Sequence, residues 1–92
     1  MKTFLITYDL VGLETYIDYS KLHGVIKKSF ILWARPVRSV WIVKSDLDVT
    51  LIRDLIGLYV DNNDRLLIVE TTNKMAWRNI SPEVSNWLKN NA

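Results

Sequence analysis

The stretch WARPVRSVWIV, residues 33–43, decides how the rest of this chain of 92 residues is interpreted. It is rich in aromatic and β-branched residues, which favour a strand. Pro36 has no N–H to donate to a neighbouring strand, so a bend, a bulge or a sheet edge is expected there. The stretch is therefore predicted to be one long bent strand or two short ones. Alternation divides its apolar side chains between two faces, with Val40 and Ile42 on one and Val37, Trp41 and Val43 on the other.

A further apolar strand is predicted on each side of this stretch along the chain. Phe4 to Tyr8 alternates apolar and small polar residues and ends at Asp9. Leu66 to Val69 is a short apolar run that follows a turn-forming sequence, Asp61 to Asp64. In the first strand one face has Phe4, Ile6 and Tyr8, and the other has Thr3, Leu5, Thr7 and Asp9.

Two helices are predicted between these strands. Apolar residues recur at steps of three and four from about Tyr19 to Leu32, and Asp18 is suited to cap that helix. A second helix is expected roughly from Val49 to Val60, capped by Asp46 or Asp48. Its inner face is predicted to consist of Ile52, Leu55, Ile56 and Tyr59.

A third helix is predicted over residues 81–90, because Ser81-Pro82-Glu83 supplies a capping hydroxyl, a proline at the first helical position and an acid in the first turn. Its apolar face is expected to be Val84, Trp87 and Leu88. The order of elements predicts one α+β domain over residues 1–92. The expected architecture is a ferredoxin-like split βαβ sandwich (βαββαβ) with a C-terminal helical extension.

The predicted sheet has more apolar surface than two helices can cover. The excess is assigned to the second face of the sheet, to Leu5, Val37, Trp41 and Val43. Either the C-terminal helix or a second copy of the chain must cover that face, and a homodimer is therefore expected.

Composition excludes several classes of protein. Hydrophobic residues make up 49% of the chain, too many for intrinsic disorder. The chain has no Cys and one His, which excludes disulfide scaffolds, thiol nucleophiles, zinc ribbons, iron–sulfur sites and a His-rich metal site within one chain. The apolar run near the N-terminus is too short for a signal-peptide core or a membrane span. A cytoplasmic protein with no membrane partner is expected.

Charge is segregated along the chain although the net charge is only +2. Residues 19–44 contain six basic side chains and no acid, whereas residues 46–64 contain five acids and one base, Arg53. Basic side chains gathered on one part of a surface can neutralise phosphates whatever the total charge is. The alternative is that these charges are ordinary solvated faces of helices and a strand.

Asp9 is the first candidate for chemistry, because it ends a strand on the face that two helices leave uncovered. One carboxylate is a poor Mg²⁺ site, but a two-fold axis would bring two copies of Asp9 to one hydrated ion, which could activate water against a phosphodiester. The alternative is a turn former or helix cap. The basic side chains expected to bind nucleic acid are Lys27, Lys28, Arg35 and Arg38.

Three other polar or aromatic residues have simpler interpretations. Trp33 is expected to pack in the core as the last apolar residue of the first helix. Ser39 has no partner base at an interpretable spacing, so by residue chemistry alone it is expected to aid packing or bond to backbone. His23 is expected at the surface among the helix lysines. The acids of residues 61–64 lack the spacing of a calcium loop, so a plain turn is expected.

Several of these segments together resemble the smaller CRISPR adaptation protein family, the partner of the CRISPR integrase. They are LITYDL (5–10), Tyr19-x-x-Leu22, RPVRSVW (35–41) and NDRLLIV (63–69). The resemblance covers roughly residues 3–70. Its most specific part is Tyr8-Asp9 combined with Ser39-Val40.

The resemblance implies a ferredoxin-like homodimer whose sheets face each other. It implies that Asp9 is a metal ligand near the two-fold axis, and that Ser39, with the basic residues around Arg35 and Arg38, lies near the same cleft or on the nucleic-acid surface. The fold is shared with the virulence-associated protein D ribonucleases of toxin–antitoxin systems. Other members act as structural bridges for DNA.

The chain departs from the CRISPR members at Trp41, where Phe is usual, and from Trp77 to Leu88, where a helix with two Trp is expected in place of the short extra strand often seen. The second departure indicates a stand-alone relative outside a CRISPR locus, with an integrase or an antitoxin as the open possibilities for a protein partner. The expected function is metal-dependent cleavage of RNA or DNA by a homodimer, with Mg²⁺ or Mn²⁺ bound at Asp9 and with Asp9 and Ser39 catalytic. The alternative is a non-catalytic dimer of the same fold that binds nucleic acid or protein.

Overall fold

The computed structural model describes residues 1–11, 16–72 and 74–91. The elements in chain order are β1 (Lys2–Asp9), α1 (Tyr16–Ser29), β2 (Leu32–Val37), β3 (Val40–Ser45), α2 (Val49–Gly57), β4 (Arg65–Thr71) and α3 (Pro82–Asn91). The stretch 33–43 thus belongs to two strands, β2 and β3, which meet at a turn formed by Arg38 and Ser39.

The four strands form one antiparallel sheet in the order β2-β3-β1-β4. β3 lies between β1 and β2, and β1 lies between β3 and β4. Each helix between strands therefore joins two parallel strands that have a third strand between them, which is the split βαβ arrangement. The predicted α+β, ferredoxin-like fold is confirmed.

One face of the sheet packs on α1 and α2. Phe4, Ile6 and Tyr8 of β1 are buried there, as predicted. The helices bury their apolar stripes on the same face through Leu22, Ile26, Ile52 and Ile56. Side chains of this size each contribute about 1.5–3 kcal/mol when removed from water, so this layer dominates the stability of the fold.

The prediction that Trp41 and Val43 lie on the second face is wrong. The register pairs Trp41 with Ile6 and Val43 with Phe4, and directly paired residues share a face, so both side chains are in the main core. Alternation within one strand defines its two faces but not which of them meets the helices. That assignment needs the pairing between strands.

The C-terminal helix covers part of the second face, where α3 packs against β2. Ala34, Ile42 and Leu88 are buried at this contact. One row of side chains across the sheet has an exposed apolar residue at each of its two ends, and we call it the open row. The open row consists of Leu67, Thr7, Val40 and Val37, one from each strand. Leu67 is 56% exposed and Val37 is 50% exposed.

Three predicted helix boundaries differ from the structure. α1 ends at Ser29 and not near Leu32, because Leu32 pairs with Lys44 of β3. α1 also begins before Asp18, which lies in its first turn and does not precede it. α2 ends at Gly57, so Tyr59 lies beyond the helix and is 57% exposed, although it was predicted on the inner face.

The predicted helix starts are confirmed at α2 and α3. The carboxylate of Asp48 accepts a hydrogen bond from the Leu51 N–H at 2.9 Å, and the hydroxyl of Ser81 accepts one from the Val84 N–H at 3.3 Å. Residues 61–64 form the predicted turn, closed by the Asp64 N–H donating to the Asp61 carbonyl. Within the described residues, no helix combines the length and the apolar character that crossing a membrane requires.

Candidate functional site

A cleft of about 560 Å³ opens at the end of β1, between α1 and the β2–β3 turn. Its lining residues come from these three elements and are Tyr8, Asp9, Tyr19, Ser20, His23, Arg35, Arg38 and Ser39. The antiparallel register brings them together, because the start of β3 pairs with Thr7 near the end of β1. The volume is in the range that suits a small ligand or one unit of a polymer.

The β2–β3 turn is held by the side chain of Arg35. Its Nε and Nη2 groups donate to the backbone oxygen of Arg38 at 2.9 and 2.7 Å. Its guanidinium lies over the ring of Trp41 at 5.4 Å, a cation–π contact. On the other side of the turn, the Thr7 hydroxyl donates to the Ser39 carbonyl at 2.6 Å.

His23 lies in a cluster of aromatic rings at the back of the cleft. Its ring centroid is 5.5 Å from Trp41, 6.0 Å from Tyr8 and 6.5 Å from Tyr19. Nδ1 is 3.5 Å from Nη1 of Arg35, which can only donate. The neutral ring is therefore assigned its proton on Nε2, and Nε2 is buried with no hydrogen-bond partner in the described part of the chain.

Burial lowers the pKa of His23, and the cations of Arg35 and Lys27 lower it further. The imidazole is therefore neutral at pH 7. His23 was expected at the surface among the helix lysines and is instead half-buried in the cleft wall, with its ring turned toward the Tyr8–Trp41 pair. In that pair, the Trp41 Nε1–H donates to the Tyr8 hydroxyl at 3.0 Å. Burial raises the pKa of Tyr8, against smaller lowering effects from Trp41 and Arg35.

Asp9 is at the mouth of the cleft with a side chain that is 65% exposed. One of its oxygens is 3.6 Å from Nη1 of Arg65, its partner in the β1–β4 register. Mg²⁺ is held by several oxygen ligands in an octahedron. The described residues contain no group of three His, Cys, Asp or Glu side chains that could hold a metal ion. Those of one chain therefore do not fit a Mg²⁺ or Mn²⁺ site.

Four of the six residues predicted to form the site line this one cleft: Asp9, Ser39, Arg35 and Arg38. Lys27 and Lys28 lie outside it, in the last turn of α1. The Lys27 ammonium lies 5.2 Å from the ring of Trp33, which belongs to β2 and packs partly buried against the core. Nucleic-acid contact by these two lysines stays a prediction.

Tyr19, Ser20 and His23 line the cleft but were not predicted as site residues. The spacing of Tyr19 and His23 was an available signal, because residues four apart lie on the same helix face. Their ring contact is 6.5 Å between centroids.

Arg38 has the cationic side chain best placed to meet a ligand in this cleft. It is exposed at the tip of the turn. Among the described residues its guanidinium takes part in no ion pair or hydrogen bond, and only its backbone oxygen is engaged, by Arg35. Ser39, next to it, also lines the cleft and is exposed.

Comparison of the chain with protein-family models, with curated proteins and with solved structures finds no match.

Proposed function

We propose that this protein binds nucleic acid and that the cleft receives a phosphodiester group of the bound strand. The observation that carries the proposal is the unengaged guanidinium of Arg38 at the edge of a cleft that is also lined by Ser39. A guanidinium matches the geometry of phosphate oxygens and can donate two parallel hydrogen bonds to them. The serine hydroxyl is a further donor of the kind that contacts phosphates.

The basic residues of α1 support a strand path that extends beyond the cleft. Lys27 and Lys28 are exposed in the last turn of the same helix that supplies Tyr19 and His23. At 1.5 Å per residue, the last turn is about 12 Å from Tyr19 along the helix axis. A strand whose phosphate meets Arg38 could therefore pass along α1 and meet these lysines.

Fluorescence anisotropy with labelled single-stranded RNA, single-stranded DNA and duplex DNA tests the proposal over a range of salt concentrations. We expect affinity to fall steeply as salt increases. Arg38→Ala should weaken binding about ten-fold or more and reduce the salt slope by about 0.7 on a single strand or 0.9 on a duplex. The matched control is Arg53→Ala, since Arg53 is exposed on α2 and pairs with Asp54.

Two results would overturn this proposal. One is that the unmodified protein binds none of the three nucleic acids at low salt. The other is that Arg38→Ala and Arg53→Ala have equal effects, which would mean that only the total charge matters.

A second candidate function is cleavage of the bound strand by a homodimer. The specific observation in its favour is the open row, whose exposed Leu67 pairs with the half-buried Thr7 two residues before the Asp9–Arg65 pair in the register. A second copy that covered the open row would add a second Asp9 near the first. Cleavage needs that second copy, because the described residues of one chain do not fit a metal site.

Sedimentation velocity at micromolar concentration, together with a cleavage assay in Mg²⁺ or Mn²⁺, tests the second candidate. We expect a dimer that Leu67→Lys dissociates, whereas Leu58→Lys, at an exposed leucine after α2, should leave it intact. Cleavage should disappear in Asp9→Asn. A stable monomer, or cleavage that survives Asp9→Asn, would exclude this candidate while leaving the binding proposal standing.

A further inference from the structure

We infer that Arg35 is a positioning residue, which holds the β2–β3 turn so that Arg38 makes the phosphate contact. This inference rests on the proposed function of the cleft. It separates two arginines that the sequence predicts to act alike, as nucleic-acid ligands.

The guanidinium of Arg35 is already committed to the protein. Nε and Nη2 form a two-pronged contact with the single backbone oxygen of Arg38, and Nη1 faces Nδ1 of His23. The cation also lies over the indole of Trp41. These contacts occupy three of the five N–H donors of Arg35. Arg35 therefore has fewer donors left for a phosphate than Arg38, whose guanidinium is unengaged among the described residues.

The backbone beside Arg35 explains why a side chain is needed to hold the turn. The β2–β3 register shifts between Ala34 and Val37, and Pro36 within that interval has no N–H. The pairing of β2 with β3 is therefore irregular just before the turn. The fork from Arg35 crosses this interval and gives the Arg38 carbonyl two donors.

Lysine cannot replace arginine in this role. Its ammonium is a point charge on a flexible stem and cannot reproduce the planar fork or its stacking on indole. It does keep the positive charge, so it would largely preserve a simple electrostatic contact with phosphate. Arg35→Lys therefore distinguishes a role of Arg35 in holding the β2–β3 turn from a direct contact of Arg35 with the phosphate.

The first measurement is hydrogen exchange of the backbone amides of residues 37–40 in the protein without nucleic acid. We expect Arg35→Lys to speed exchange in this turn at least ten-fold and to leave the amides of α2 unchanged. Arg38→Lys should leave turn exchange unchanged. Arg35→Met keeps a long side chain against Trp41 but donates no hydrogen bond, and it supplies the same test should the lysine variant not fold.

The second measurement is a double-mutant cycle on nucleic-acid affinity. Arg35→Lys alone should weaken binding about as much as Arg38→Ala. If Arg35 acts through Arg38, adding Arg35→Lys to Arg38→Ala should change affinity less than two-fold, because the contact is already absent.

Failure of the inference and failure of the proposed function give different results. Turn exchange that is the same in Arg35→Lys and the unmodified protein overturns the inference even if nucleic acid binds. The inference is also overturned if the fold-losses of affinity caused by Arg35→Lys and Arg38→Ala multiply in the double variant. That result would mean that Arg35 contacts the nucleic acid itself. Accelerated exchange without any nucleic-acid binding supports the role of Arg35 in holding the turn and overturns the phosphate site.

Discussion

The hydrogen bond between Trp41 and Tyr8 permits a quantitative prediction, because it lies where the core meets the cleft. Trp41 is completely buried and Tyr8 nearly so, and the indole N–H donates to the phenolic oxygen at 3.0 Å. Tyr8→Phe removes one oxygen and little volume. It leaves the buried indole N–H without the acceptor that it has in the unmodified protein.

The expected cost is that of desolvating an unpaired N–H, about 1–3 kcal/mol. In a domain of this size, 1 kcal/mol corresponds to about 4–8 °C in Tm, so a loss near 2 kcal/mol lowers Tm by about 8–16 °C. Tyr59→Phe is the matched control. Tyr59 is more than half exposed beyond the end of α2, and its loss of a hydroxyl should change stability by less than about 0.5 kcal/mol.

Urea denaturation followed by circular dichroism measures both free energies of unfolding. Trp41→Phe completes a double-mutant cycle, because it removes the donor. It should cost less in the Tyr8→Phe background than in the unmodified protein, by about 1 kcal/mol. If Tyr8→Phe is no less stable than Tyr59→Phe, the N–H has another acceptor and the reasoning is refuted.

Three further predictions concern α1, α3 and the cleft. Gly24→Ala should stabilise the protein by about 0.5–1 kcal/mol in thermal denaturation, because Gly24 is inside α1 and an added Cβ would meet no atom within 4 Å; a loss of stability would contradict this. Ser81→Ala removes the acceptor for the Val84 N–H and should cost about 1 kcal/mol, whereas Ser81→Asp should be nearly neutral in the same assay. His23 has a lowered pKa in the folded state, so below about pH 6.5 the unfolded chain binds the proton more readily and stability falls as pH decreases. In His23→Gln the free energy of unfolding should change less between pH 7 and pH 5 than in the unmodified protein. An unchanged pH dependence would mean that other groups cause it.

The order of elements could be predicted from the sequence because each signal is local. The start of α3 shows this, since a capping serine, a proline and an acid occupy three consecutive positions at 81–83. The sequence offers Asp46 and Asp48 as caps of α2, and Asp48 is the one that accepts a hydrogen bond from the Leu51 N–H. The end of α1 was not predictable in the same way, because Leu32 continues the helical pattern but is taken by pairing with Lys44.

The candidate site was only partly predictable for a related reason. Asp9, Arg35, Arg38 and Ser39 were selected by charge, by their positions at strand ends or by family resemblance, and they line one cleft. His23 was not selected, since its role depends on the orientation of α1 against β1 and β3. No local sequence pattern predicts that orientation, because it arises from packing between elements that are distant in sequence.

One local irregularity, in β2 near Pro36, affects both the cleft and the open row, the two surfaces on which the functional proposals depend. In a regular strand Arg35 and Val37 would share a face, because side chains alternate. The shifted register instead pairs Val37 with Val40, so Val37 joins the open row, while Arg35 stays on the core side against Trp41. The register shift thus adds Val37 to the open row, which a second copy could cover, and leaves the guanidinium of Arg35 at the cleft end of the core. A change that restored regular alternation in β2 would disturb both surfaces together, so we expect loss of nucleic-acid binding and loss of self-association to coincide in such a variant.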